Sequence, residues 1–325
     1  MTALRVRVAD RVGDVWPGGR LREFEPLPGG HSGVTCVASV AVPGGEDVRV
    51  VVKAAPPGRA PVGRHDVLRQ ARILTAMTAA GSVGVPEVLL QQGGAEPFFL
   101  MRWHPGESIE PVLDAAPHLT PDAVQRRAFS AVEALAALHR VPVGALDEPV
   151  LTPRQELERW TATMGTLDPE LRAGSDEIAA ALLDTAPPEL PPVVVHGDFR
   201  LGNTLCVGGD VGVVIDWEIW SVGDPRVDLG WLLLFCDGGN FPGVAVAGCP
   251  MPPARTLRAA YERAAGARVK QFEWFEAMAR YKMGAIMGNN LARHRAGRHH
   301  DPFQEGLVPT IRAMIEGAGV ALSRS

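Results

Sequence analysis

The 325-residue chain lacks the features that mark a membrane, secreted or nucleic-acid-binding protein. No stretch approaches the roughly 18 consecutive apolar residues that a membrane span needs. The opening MTALRVRVADRVGDVW has no signal-peptide core, because Arg5, Arg7, Asp10 and Arg11 interrupt it. The four cysteines, Cys36, Cys206, Cys236 and Cys249, are scattered and form no CxxC pair. They read as reduced packing residues of a cytoplasmic protein rather than as a disulfide framework or metal centre. Positive charge is not in excess, and a net charge of −5 argues against a general nucleic-acid binder. There is no internal repeat.

What is present suits a globular enzyme: 46% hydrophobic and 21% charged residues, with 36 glycines and 28 prolines that imply many turns. REFEPLPGGHSGVTCVASVAV reads as strand, Gly-rich turn and strand, and VRVVVKAAP as a third strand. HDVLRQARILTAMTAAG has helical spacing at Val67, Ile73, Leu74 and Met77, with Gly81 suited to its end. VPEVLLQQ and EPFFLMRW add two strands across Gly93-Gly94. From Pro121 the chain turns mainly helical, broken by APPELPP and by two short strands around VVVHGDFRLGNTLCVGGDVGVVIDWE. The expectation is an α+β fold of two lobes with a ligand cleft between them and a hinge near Trp103 to Gly106. Residues 1–104 would form a nucleotide-binding lobe and residues 105–325 a catalytic, substrate-binding helical lobe.

The chemistry concentrates in HGDFRLGN and the IDWE that follows. A loop with four residues between Asp198 and Asn203 can turn both side chains toward one point. The acid could accept or orient a hydroxyl proton, while the amide oxygen ligates a hard cation. Mg²⁺ takes oxygen ligands and few carboxylates, and Asp216 is the natural second contributor. Any one of these residues alone could simply cap a turn or end a strand. Their order, D-x-x-x-x-N and then D, is that of phosphoryl-transfer enzymes of the protein-kinase type. His196 suits a loop-pinning role. A metallophosphatase reading of HGD would need further His/Asp clusters at strand ends, which the sequence lacks.

Phosphoryl transfer also needs a phosphate cradle and a fixed cation. In LPGGHSGV, Gly29, Gly30 and Gly33 permit close backbone approach and Ser32 offers a hydroxyl, although a Gly-Gly turn could do the same with no ligand. Lys53 lies in an apolar strand, where a phosphate would satisfy its ammonium. In the kinase plan a helix glutamate pairs with this lysine, but Gln70 stands at that position, with Asp66 a candidate substitute. Met101 to Trp103 would offer backbone groups to an adenine ring.

With these motifs the chain resembles the aminoglycoside phosphotransferase and choline kinase-like family, the small-molecule branch of the protein-kinase-like fold. HGDFRLGN, IDWE and GDPRVDLGW carry the resemblance, supported upstream by LPGGHSG, Lys53, LMRWHPG and LAALH. It implies a bilobal fold with an N-terminal antiparallel sheet carrying one helix and a larger helical C-terminal lobe. It implies Asp198 as catalytic residue, Asn203 and Asp216 as Mg²⁺ ligands, and Lys53 on the phosphates of ATP or GTP. Asp224 and Asp228 would be structural acids that brace the loop. DWE in place of DFG, with no A-P-E segment, sets the chain apart from protein kinases.

The acceptor would be a hydroxyl of a small molecule, with no nucleic acid and no membrane among the partners. A polycationic antibiotic would call for clustered acids on the later helices. NNLARHRAGRHHDPF instead places Arg293, His294, Arg295, Arg298, His299 and His300 near one another with only Asp301 beside them. If that patch faces the cleft, it favours an anionic or neutral acceptor such as a hydroxyacyl thioester or a sugar-like metabolite. A non-catalytic nucleotide-binding module is the other reading, motivated by Gln70.

Overall fold

Four-residue spacing of Leu4, Val8 and Val12 turns the charged opening segment into a helix, α1 (Thr2–Val15), an element that the strand-and-turn reading of this region leaves out. Arg5 and Asp10 face solvent, while Arg7 and Arg11 flank the stripe and donate to Glu96 and Gln92, so the stripe is narrow but sufficient. The structure, a computed structural model, describes residues 2–27, 33–56, 58, 63–144, 146–246, 248, 250–298 and 300–324. Gly29, Gly30 and Ser32 of the expected cradle, with Cys249 and His299, lie outside the described residues.

The chain forms two compact units, residues 1–106 with 212–220, and residues 107–211 with 221–325. In the first, β1 (Arg20–Pro26), β2 (Val34–Ala41), β3 (Val48–Ala54), β4 (Val88–Gln92) and β5 (Phe98–Arg102) make an antiparallel sheet of order β1-β2-β3-β5-β4. Alternation along the strands divides its faces. Cys36, Ala38, Val40, Val50, Val52, Ala54, Phe98 and Leu100 join Leu4, Val8 and Val12 of α1 in one core. Lys53, flanked by Val52 and Ala54, therefore emerges on the opposite face. There it meets the helix α2 (Val67–Ala80), which Asp66 caps at its start and left-handed Gly81 ends.

The second unit is mainly helical: α3 (Pro121–Leu138), α4 (Pro153–Met164) after the two-residue strand β6 (Val150–Leu151), and α5 (Ser175–Asp184). Thr120 caps α3, and Thr152 with Gln155 forms a capping box on α4. The central segment holds more strands than the two expected, because three- and four-residue strands leave little periodic trace. These are β7 (Val193–Val195), β8 (Thr204–Val207), β9 (Asp210–Val214), whose residues from 212 belong to the first unit and lead to Asp216, and β10 (Ser221–Gly223). β10 pairs antiparallel with β7 and parallel with β6, which fixes the entry and exit of the HGD segment. The helices α6 (Arg226–Leu234), α7 (Ala254–Ala265), α8 (Phe272–Arg295) and α9 (Val308–Leu322) complete the unit. α8 is buried around most of its circumference because α4, α6 and α9 cover it. Gly230 admits α6 against α8: a Cβ there would lie 2.7 Å from the Phe275 carbonyl oxygen.

Candidate active site

Two constellations, one in each unit, bring together Lys53 with Asp216 and Asp198 with Asn203. The first centres on Lys53. Its Nζ lies 3.0 Å from Asp216 Oδ1, 3.3 Å from Glu218 Oε1 and 3.4 Å from Gln70 Oε1. Burial works against the ammonium, but Asp216 and Glu218 outweigh it and hold its pKa above the usual lysine value. Asp66 is not the substitute acid: its Oδ1 accepts the backbone N–H groups of Leu68 and Arg69 and is used up as the helix cap. The negative charge missing at Gln70 comes instead from Asp216 and Glu218, both in the DWE motif, which no helical pattern would connect to Lys53.

Asp216 has a φ of 65°, in the left-handed region that non-glycine residues rarely enter. Trp217 anchors the turn, buried and donating its indole N–H to the Val214 carbonyl. Met101 lies within β5 between β3 and β4. Trp103 follows the strand with its ring under the Arg49 guanidinium, 4.0 Å from centroid to Cζ. Gly33 stands at the start of β2, where an added Cβ would lie 3.1 Å from the Ala54 carbonyl oxygen.

The second constellation surrounds Asp198. Asn203 donates its amide to Asp198 Oδ2 at 2.7 Å and to the Asp198 carbonyl at 2.8 Å. The Trp231 indole N–H donates to Asp198 Oδ1 at 2.6 Å, and Arg200 Nε stands 3.4 Å from the same oxygen. The spacing expectation is met here, since acid and amide touch. Because both amide donations go to Asp198, Oδ1 of Asn203 is the atom left to ligate a cation. One glycine lets the loop turn, Gly197 with a φ of 83°, while Gly202 lies under the Arg200 guanidinium, which a Cβ there would displace.

Behind Asp198 the loop is tied to buried groups. The Asp228 carboxylate accepts the backbone N–H groups of His196 and Gly197, each at 2.7 Å, and stands 3.3 Å from His139 Nε2. Burial pushes this carboxyl up, but His139 and the bonds from the loop more than offset it, and its pKa falls below the ordinary value. His196 pins the turn as expected, its Nδ1 accepting the Asp198 N–H at 3.2 Å. Asp224 works one step away: it holds Arg226 through both oxygens, and Arg226 in turn donates to the carbonyls of Pro188 and Lys270.

Lys282 was not legible as part of the site. It is buried in α8, donates to the Gly197 carbonyl, and sits over the rings of Trp231 at 4.4 Å and Trp160 at 5.2 Å. Burial pulls its pKa below the usual lysine value despite Glu156 at 4.0 Å. Glu110 is likewise buried, accepting the Gly202 N–H at 3.1 Å with Arg200 3.6 Å away. Its pKa rises to about 7 because burial outweighs that help.

The basic segment at the end of α8 is less bare than its sequence suggests. Glu305, four residues beyond Asp301, takes a bidentate pair from Arg295 at 2.6 and 2.8 Å and lies 4.0 Å from His294. Among the described residues no group of three or more His, Cys, Asp or Glu side chains could hold a metal by itself. Cys36, Cys206 and Cys236 are free thiols.

A sequence profile of the phosphotransferase enzyme family (APH) matches residues 23–283. Mouse acyl-CoA dehydrogenase family member 10 is 29% identical over 201 residues, 58% of this chain and only 18% of the mouse protein. Among solved structures, a protein from Ralstonia eutropha described provisionally as an aminoglycoside phosphotransferase superposes with a TM-score of 0.75. It is 20% identical and covers 98% of this chain and 97% of its own. The aminoglycoside phosphotransferase APH(2″)-IIa, solved with streptomycin and ATP, gives 0.62 at 18% identity, with 97% and 95% covered. At these identities the superpositions show the fold, which is the kinase-like fold of these neighbours.

Proposed function

We propose that this chain, which belongs to the phosphotransferase enzyme family, moves the terminal phosphoryl group of ATP or GTP to a hydroxyl of a small molecule. The observation that carries the reading is the setting of Asp198. Both carboxylate oxygens are held by side-chain donors, so the acid has a fixed direction in which to accept a hydroxyl hydrogen. Lys53 would hold phosphate oxygens, and Met101 and Trp103, with Gly29, Gly30, Ser32 and Gly33, would line the nucleotide. By donor type Asn203 and Asp216 would each suit Mg²⁺, which prefers hard oxygen ligands with few carboxylates. When bound, Mg²⁺ would offset charge on the β- and γ-phosphates.

In the transfer, Asp198 orients the acceptor hydroxyl in line with the γ-phosphorus and receives its proton as the new O–P bond forms and the bond to the nucleoside diphosphate breaks. Lys53 balances negative charge on the departing diphosphate. Asp198→Asn keeps an acceptor oxygen but loses the base; turnover is expected to fall by about 10³-fold or more with nucleotide affinity nearly unchanged. Turnover within tenfold of the parent would remove Asp198 from this role.

The acceptor we favour is a hydroxylated metabolite, with a hydroxyacyl thioester the first to test. The support is the likeness to a protein named for an acyl-CoA dehydrogenase family, although this chain spans less than a fifth of it. Phosphorus NMR with Mg-ATP or Mg-GTP and a panel of hydroxyacyl-CoA, sugars, choline and aminoglycosides decides the class. Turnover of antibiotics alone would overturn this choice. Nucleotide binding with no turnover across the panel would make the chain a binding module.

A further inference from the structure

The charge that steadies Lys53 comes from an unexpected direction. In the kinase plan a helix glutamate restrains this lysine so that its ammonium meets the phosphates. Here the helix offers Gln70, a neutral acceptor 3.4 Å away, and the other acid near the helix start, Asp66, is committed to the cap. Two acids reach Nζ from the segment after β9, Asp216 and Glu218. They are not equivalent. The Asp216 side chain is 41% exposed and stands at a strained backbone position, while Glu218 is 20% exposed. On the phosphotransfer reading Asp216 is the carboxylate that serves the cation, and one drawn to a divalent ion has less charge to share with a lysine. Glu218, two residues on and less screened by water, would keep its hold on Lys53 whether or not Asp216 is so engaged.

Resting on the phosphotransfer reading, we propose that Glu218 is the positioning residue for Lys53, taking over from the C-terminal side of β9 the task that a helix glutamate performs elsewhere in the fold. The restraint has moved from α2 to the DWE turn, and Gln70 completes it as a neutral hydrogen-bond acceptor.

The test compares binding of the phosphate-bearing analogue AMP-PNP with binding of adenosine, which carries no phosphate, by calorimetry on the full chain. Glu218→Gln should weaken AMP-PNP by about tenfold and leave adenosine unchanged. Adding Gln70→Glu should recover most of that loss, because the acid is restored on the other side of the same ammonium. Steady-state kinetics should show the same split, with the nucleotide KM raised more than kcat is lowered. If Glu218→Gln does not fold, Glu218→Asp, shorter by one methylene, should show a smaller loss confined to AMP-PNP. Unchanged AMP-PNP affinity in Glu218→Gln, equal losses for both ligands, or no recovery with Gln70→Glu would each overturn the proposal. A parent protein that binds neither ligand would instead remove the phosphotransfer reading, and the proposal with it.

Discussion

Around Lys53 the contacts are ion pairs among partly exposed side chains, and few of them involve the backbone. Behind Asp198 the contacts are hydrogen bonds into the backbone of the loop from side chains that solvent barely reaches. Asp228 and His196 are fully buried, and Lys282 is 2% exposed. The first arrangement lets a cation move by a rotamer change. The second leaves the carboxylate almost no alternative position, because shifting the loop would strand several buried donors and acceptors at once. Where a group must be aimed, the chain uses buried, mutually satisfied bonds; where charge must be offered, it uses pairs that water can still reach.

The sharpest way to break this comparison is to remove the deepest brace. Asp228→Asn puts an amide N–H against the His196 or Gly197 N–H and is expected to cost about 3 kcal/mol or more in urea unfolding. A loss below about 1 kcal/mol would mean that the loop is held by something else.

A smaller and pH-shaped effect is expected at Glu110. Its folded pKa of about 7 lies above its ordinary 4.5, so the folded protein keeps a proton that the unfolded chain releases. Stability from this group is therefore intact below pH 4.5 and falls as pH rises to about 7, where the penalty levels off. Glu110→Gln should remove that slope and leave the variant more stable than the parent at pH 8, by up to ~3 kcal/mol less whatever Arg200 loses. Parallel stability curves for the two proteins between pH 4.5 and 8 would show that the proton is not retained.

The smallest change in stability is expected at Lys282. Replacing this buried cation with an apolar side chain of similar volume removes its desolvation cost but strands the Gly197 carbonyl and leaves Glu156 without this cation, so Lys282→Met should cost about 1–2 kcal/mol in unfolding. The Gly197 carbonyl loses its donor one residue before Asp198, and turnover of the folded variant should drop by about tenfold. If that turnover were unchanged, Lys282 would be a folding residue rather than one that aims the loop.

Much of this arrangement could be read along the chain. The five strands of the first sheet, the helix from Val67 and the helices from Pro121 onward declare themselves through period, caps and breakers. Asp198 and Asn203 are separated by one short loop, and a loop that short leaves few ways for them not to meet. α1 was harder, since its stripe of Leu4, Val8 and Val12 is three residues wide among charges. Glu218 as a partner of Lys53, Trp231 and Lys282 against the Asp198 loop, and Glu305 against Arg295 carry no local signal at all.

The order of acid, amide and acid, the lysine in an apolar strand and the neutral glutamine across from it were determined by sequence alone, because they depend on residue type and short spacing. Which acid answers that lysine, and which donors grip Asp198, was decided only by the tertiary structure. Those partners lie 165 residues from Lys53 and 33 from Asp198, and only packing brings them within 3.3 and 2.6 Å.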